Sequence, residues 1–98
     1  MQTLKIAPEY FCSPLWIKRS GEDVFIPILP HEIHLSQSLS DRIIEWDDKY
    51  QATFNDTYPP ESGFKNADDE AAYRQEGMDI RKEITGQLSE EWMIEYKL

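Results

Sequence analysis

Two histidines, His31 and His34, stand three apart in Pro30-His31-Glu32-Ile33-His34, and with Glu32 between them they could be read as a partial metal site. The zinc-peptidase motif needs His-Glu-x-x-His, which puts both imidazoles on one helix face at a four-residue spacing. Here the spacing is one residue short, Pro30 points to a loop, and no further ligand is suggested for a catalytic zinc. The pair reads as ordinary loop histidines, and no metal or cofactor is expected. Cys12 is the only cysteine. A nucleophilic thiol wants a base and an electropositive setting, whereas this chain is acidic, so Cys12 reads as a small buried apolar residue. Adjacent carboxylates recur at Glu22-Asp23, Asp47-Asp48, Asp68-Asp69-Glu70 and Glu90-Glu91. Glycoside hydrolysis uses two carboxylates across a cleft, but a chain this short rarely encloses one, and adjacent acids on helices are usually solvated. Gly21, Gly63, Gly77 and Gly86 are isolated, so no phosphate-cradling loop exists, and no serine sits in a nucleophile elbow. An enzyme is not expected.

The elements that must position these residues follow from periodicity. Residues 3–7 alternate, with Leu4 and Ile6 on one face, and Pro8 ends that strand. Residues 15–18 and 23–26 are β-prone and flank Arg19-Ser20-Gly21-Glu22, which predicts a hairpin with Gly21 in the turn. Pro14, Pro27 and Pro30 are expected to bound its strands. Leu39, Ile43, Trp46, Tyr50 and Phe54 recur at helical spacing, predicting a helix from about Gln37 to Phe54, capped by Ser36 or Ser38. Asp41, Glu45, Asp48 and Lys49 fall off that stripe. Asn55 to Gly63 is a loop stiffened by Pro59 and Pro60. A second helix starts near Asn66, with Asp68, Asp69 and Glu70 complementing its dipole. Tyr73, Gly77, Ile80, Ile84 and Leu88 mark its buried face. Residues 92–96 alternate as a final strand. Together these predict one α+β domain over 1–98, a small antiparallel sheet packed against two helices.

Composition narrows the function. The chain of 98 residues has 19 Asp and Glu against 10 Lys and Arg, a net charge of −9. A hydrophobic fraction of 40% with 12% aromatics exceeds what a disordered acidic tail carries. No run approaches the roughly 20 apolar residues that span a bilayer, and residues 1–20 show no signal-peptide pattern. With a single cysteine, a reducing cytoplasm is expected. The charge disfavours direct contact with nucleic acid or an anionic membrane. Nor is it evenly spread. Residues 1–19 carry Lys5, Lys18 and Arg19 against Glu9 alone, so the acid lies from Glu22 onward. Three tryptophans and five tyrosines suggest interface anchors, and acids around them would steer a basic partner.

The opening Leu4-Lys5-Ile6-Ala7-Pro8-Glu9-Tyr10-Phe11-Cys12-Ser13-Pro14-Leu15-Trp16, then Glu45-Trp46 with Tyr50-Gln51-Ala52-Thr53-Phe54, then Tyr58-Pro59-Pro60-Glu61-Ser62-Gly63-Phe64, resemble a family of small acidic bacterial proteins. Some of these look like immunity proteins of contact-dependent growth-inhibition or related polymorphic toxin systems. The resemblance implies a protein that binds and neutralises the C-terminal toxin domain of a neighbour's effector. Such toxins are often basic nucleases, including a ribonuclease A-like class. It carries over no contact residues.

The functional expectation is therefore a one-to-one inhibitor whose acidic surface fills the substrate cleft of a basic nuclease domain. Its expected contacts are Asp47, Asp48, Asp56, Glu61, Asp68, Asp69 and Glu70, with Tyr58 and Phe64 as loop anchors. Two readings compete: a nucleic-acid mimic that blocks a DNA-binding protein, and a small hydrolase using carboxylates or the His31–His34 pair.

Overall fold

The computed structural model describes residues 2–97. Four strands, β1 (Gln2–Ile6), β2 (Leu15–Lys18), β3 (Ile26–Ile28) and β4 (Trp92–Tyr96), form one sheet in the order β3-β2-β1-β4. Two helices, α1 (Gln37–Gln51) and α2 (Ala67–Gln87), lie between β3 and β4 in the chain. The α+β class is as expected, but the sheet is mixed. β1 pairs antiparallel with β2 and parallel with β4, Gln2 opposite Trp92 and Ile6 opposite Tyr96. Parallel neighbours need a crossover, and here both helices supply it.

The hairpin is shifted from its expected place. Gly21 does sit in the turn, with φ +84° and a bond from the Glu22 N–H to the Arg19 carbonyl. The second strand begins three residues later than expected, because Leu15 pairs with Ile28 and Ile17 with Ile26. That register sets Ile28, which packs against the core, opposite the buried Leu15, while Ile26 opposite Ile17 stays exposed. Phe25 instead lies under two ammonium groups, Lys5 at 4.5 Å and Lys18 at 5.1 Å from its ring centroid. Pro27, expected as a boundary, lies inside β3. An edge strand tolerates a residue without an N–H.

Helix α1 starts at the Ser36 cap, whose Oγ accepts from the Leu39 N–H at 3.2 Å. The same hydroxyl accepts from Gln87 Nε2, and the Gln87 Oε1 accepts the Ser36 N–H. The start of α1 is thus tied to the end of α2, so the helices run antiparallel. Their buried chemical link is Trp46. It is fully buried, its Nε1 donates to the Tyr73 carbonyl at 2.9 Å, and its ring stacks on Tyr73 with centroids 4.8 Å apart. Leu39, Ile43 and Trp46 of α1 and Tyr73, Ile80 and Ile84 of α2 close over Leu4, Ile6, Leu15 and Ile17 of the sheet. Helix α1 ends at Gln51, one turn earlier than expected. Bonds from Thr53 N to Tyr50 O and from Phe54 N to Gln51 O tighten the chain out of the helix.

Two side-chain oxygens, Ser40 Oγ and Tyr73 Oη, are buried with no hydrogen-bond partner among the described residues. A buried polar group left unpaired costs about 1–3 kcal/mol. Tyr73→Phe should therefore raise unfolding free energy by about 1 kcal/mol in urea denaturation. Trp46→Ala, which empties the helix interface and strips the carbonyl of its indole donor, should cost about 3–5 kcal/mol in the same measurement.

Candidate partner-binding surface

The loop after α1 is built from its own polar side chains. Asn55 Oδ1 accepts from the N–H groups of Thr57 and Tyr58, and its own N–H donates to Ser62 Oγ. Pro59–Glu61 form one 3-10 turn. The loop closes where the Gly63 N–H donates to the Thr53 carbonyl at 3.1 Å, with Gly63 at φ +142°, a conformation that favours glycine. Phe64 then turns inward and packs 4.9 Å from Tyr73. Helix α2 follows at Asn66, whose Oδ1 accepts the Asp69 N–H while its Nδ2 donates to the Asp69 carboxylate.

This arrangement brings Asp56, Glu61, Phe64 and Asp69 to one open cleft of about 980 Å³ between the loop and the two helices. Lys49 and Lys65 line it too, so three acids face two cations. One of these cations is already engaged: Lys49 Nζ lies 3.0 Å from Glu76. Tyr58 is 55% exposed at the loop surface. Phe64 is only half-buried but belongs to the core packing. Asp68 and Glu70 are exposed on the first turn of α2, with Glu70 paired to Arg74 at 3.0 Å. Asp48 is exposed on α1. Asp47 is not with the others. It lines a separate groove of about 350 Å³ with Phe11, Cys12, Leu29 and Ile44. Cys12 itself is half-buried in that wall, which corrects its reading as a core residue.

Several acids serve the fold. Arg42 sits among Glu83 at 3.2 Å, Glu76 at 3.8 Å and Asp79 at 4.0 Å, joining α1 to one side of α2. His31 and His34 are both exposed around the 3-10 turn Pro30–Ile33. Among the described residues, no three His, Cys, Asp or Glu side chains are grouped to hold a metal ion. The sequence reading missed the exposed apolar residues Phe11, Leu29 and Ile44. For Ile44 a signal existed: it is an apolar residue off the Leu39–Ile43–Trp46–Tyr50 stripe.

Burial raises the Asp47 pKa above its ordinary 3.8, the hydrogen bond from Gln51 partly offsets that, and the Asp48 charge adds to the rise. A carboxyl whose folded pKa lies above its unfolded one loses stability as pH climbs through that window, and the penalty is complete at neutral pH. Asp47→Asn keeps an oxygen for Gln51 and removes the charge. It should melt higher than the wild type at neutral pH, and the gap should close as pH falls toward 3.8 in thermal scans by circular dichroism.

Among the described residues no helix is long and apolar enough to cross a membrane. No curated protein matches the chain. The family model described as Serratia CdiI immunity protein-like matches residues 2–98, nearly the whole sequence. The chain belongs to the Serratia CdiI immunity protein-like family, the immunity proteins of contact-dependent growth-inhibition systems, and its partner is a cognate toxin protein.

Proposed function

We propose that the cognate toxin is a basic nuclease domain, of ribonuclease type, and that this chain inhibits it by seating an acidic surface over the substrate cleft. The observation that carries the reading is the junction of the 55–63 loop with the start of α2. There Asp56, Glu61 and Asp69 line one cleft, Asp68 and Glu70 are exposed on the same first turn of α2, and Tyr58 is exposed on the loop. Carboxylates placed this way would meet the Lys and Arg that hold nucleic-acid phosphates, and a tyrosine there adds a large side chain with little conformational entropy to lose. The complex is one-to-one, forms in the cytoplasm, and involves the chain as a single domain without catalysis.

The mimic reading draws less support. Arg42 engages Glu76, Asp79 and Glu83, so the acids along that side of α2 do not stand as a free phosphate-like row.

The test uses the C-terminal toxin domain of the cognate effector. Nuclease activity of that domain should vanish at one equivalent of this chain; a domain without nuclease activity would overturn the substrate assignment. Asp56→Asn, Glu61→Gln and Asp68→Asn together spare the Asn66–Asp69 cap and the Glu70–Arg74 pair. The triple variant should associate roughly tenfold more slowly at low salt, with a flatter salt dependence, in stopped-flow measurements. Unchanged association kinetics would remove this patch from the interface.

A further inference from the structure

A second face carries three exposed large apolar side chains, Phe11, Leu29 and Ile44. Between β1 and β2 the chain turns at Tyr10–Phe11, and Phe11 adopts φ +62°, a region where a bulky residue costs about 1–3 kcal/mol and persists only when its surroundings impose it. Here they do. The Phe11 N–H donates to Gln51 Oε1 at 2.9 Å, Gln51 Nε2 holds the Glu9 carbonyl at 2.9 Å, and the ring meets Phe54 edge-on at 4.8 Å. Despite these ties the Phe11 ring remains 79% exposed. Leu29 and Ile44, each 50% exposed, line the same groove. Ordinary folding keeps such residues inside, and contiguous exposed apolar groups mark interaction sites.

Charge indicates what fits there. Asp41 and Asp48 flank Ile44 at helical spacing, three residues before and four after it, and both are exposed. Asp47 stands in the groove wall, half-buried, and accepts a hydrogen bond from Gln51 at 3.2 Å. Glu9 and Glu32 are exposed beside the Phe11 turn and Leu29. A second copy of this chain docked through the same face would set these carboxylates against one another, since a two-fold interface pairs a patch with itself.

We infer that this groove is a contact surface for the toxin domain, which inserts an apolar side chain flanked by Lys or Arg, with Phe11 as the anchor. The inference rests on the reading above that the toxin is basic. The acidic loop governs approach; the groove governs residence.

The experiment follows binding of the cognate effector's toxin domain to wild type, Phe11→Asn and Ile44→Ala, with Cys12 alkylation by a maleimide as a footprint. Asparagine tolerates positive φ, so the first variant removes the ring and keeps the turn. Phe11→Asn should raise the dissociation rate roughly 30-fold or more while leaving association unchanged, as expected of a hot spot. Ile44→Ala should raise it to a lesser degree. Cys12, read by peptide mass, should alkylate more slowly in the wild-type complex than in the free protein. Wild-type dissociation rates in both variants, or unprotected Cys12, would overturn the groove while leaving nuclease protection intact. Conversely, salt-independent association would overturn the basic-partner reading, with residence time and footprint still judging the groove. A wild-type dimer that Phe11→Asn converts to monomer in sedimentation would place a second copy there instead. Should Phe11→Asn fail to fold, Ile44→Ala and the wild-type footprint decide.

Discussion

The pairing of Trp46 with Tyr73 is the contact on which both surfaces hang. The indole ties α1 to α2 through one hydrogen bond and one stacked ring. From Tyr73 the aromatic packing then runs outward in two directions. Phe64 rests on it and anchors the acidic loop. Tyr50 stacks beside it and carries Tyr10, which meets Phe54, which in turn meets Phe11. A perturbation at the centre would therefore reach the loop and the turn together, although they line separate depressions. Rigid aromatic packing is a good means of holding interface residues in place, because a pre-ordered side chain loses less entropy on binding.

Much of this was legible in local pattern. The stripe Leu39–Ile43–Trp46, the Asn66 cap and a serine cap at 36 or 38 came from periodicity and short-range hydrogen-bonding chemistry, which act over one helical turn; the structure selects Ser36. The direction of β4 did not, because alternation of side chains is the same in parallel and antiparallel strands and only the crossover decides. Likewise, the slip of β3 by three residues turns on setting Ile28 opposite the buried Leu15, a tertiary choice. Asp47 and Asp48 are neighbours in the chain, yet a helix rotates successive residues by about 100°. One entered a groove wall while the other stayed in solvent. Phe11 was illegible for a different reason: its conformation is imposed by Gln51, forty residues away.

The charge excess also divides once it is placed in space. Arg42 with Glu76, Asp79 and Glu83, and Arg74 with Glu70, form exposed or half-exposed pairs that link or brace the helices and are each worth little to stability. Among the acids outside these pairs, one group stands at the loop junction and another along the Asp41–Asp48 face of α1. Net charge alone overstated the surface open to a partner; location shows two acidic regions with different apolar companions, Tyr58 in one and Phe11, Leu29 and Ile44 in the other.

The parallel pairing of β1 with β4 has a consequence in time. β1 is an inner strand, and its β4 neighbour begins ninety residues downstream, Gln2 opposite Trp92. While the chain is being made, the first strand must wait through both helices before that edge can close, and contacts of such sequence separation slow folding. A ribosome-bound chain stopped before Trp92 lacks β4 and the partly buried Trp92, Ile94 and Tyr96 that pack on the core. The sheet therefore closes only after synthesis has passed Tyr96, and the last strand made completes the edge left open by the first.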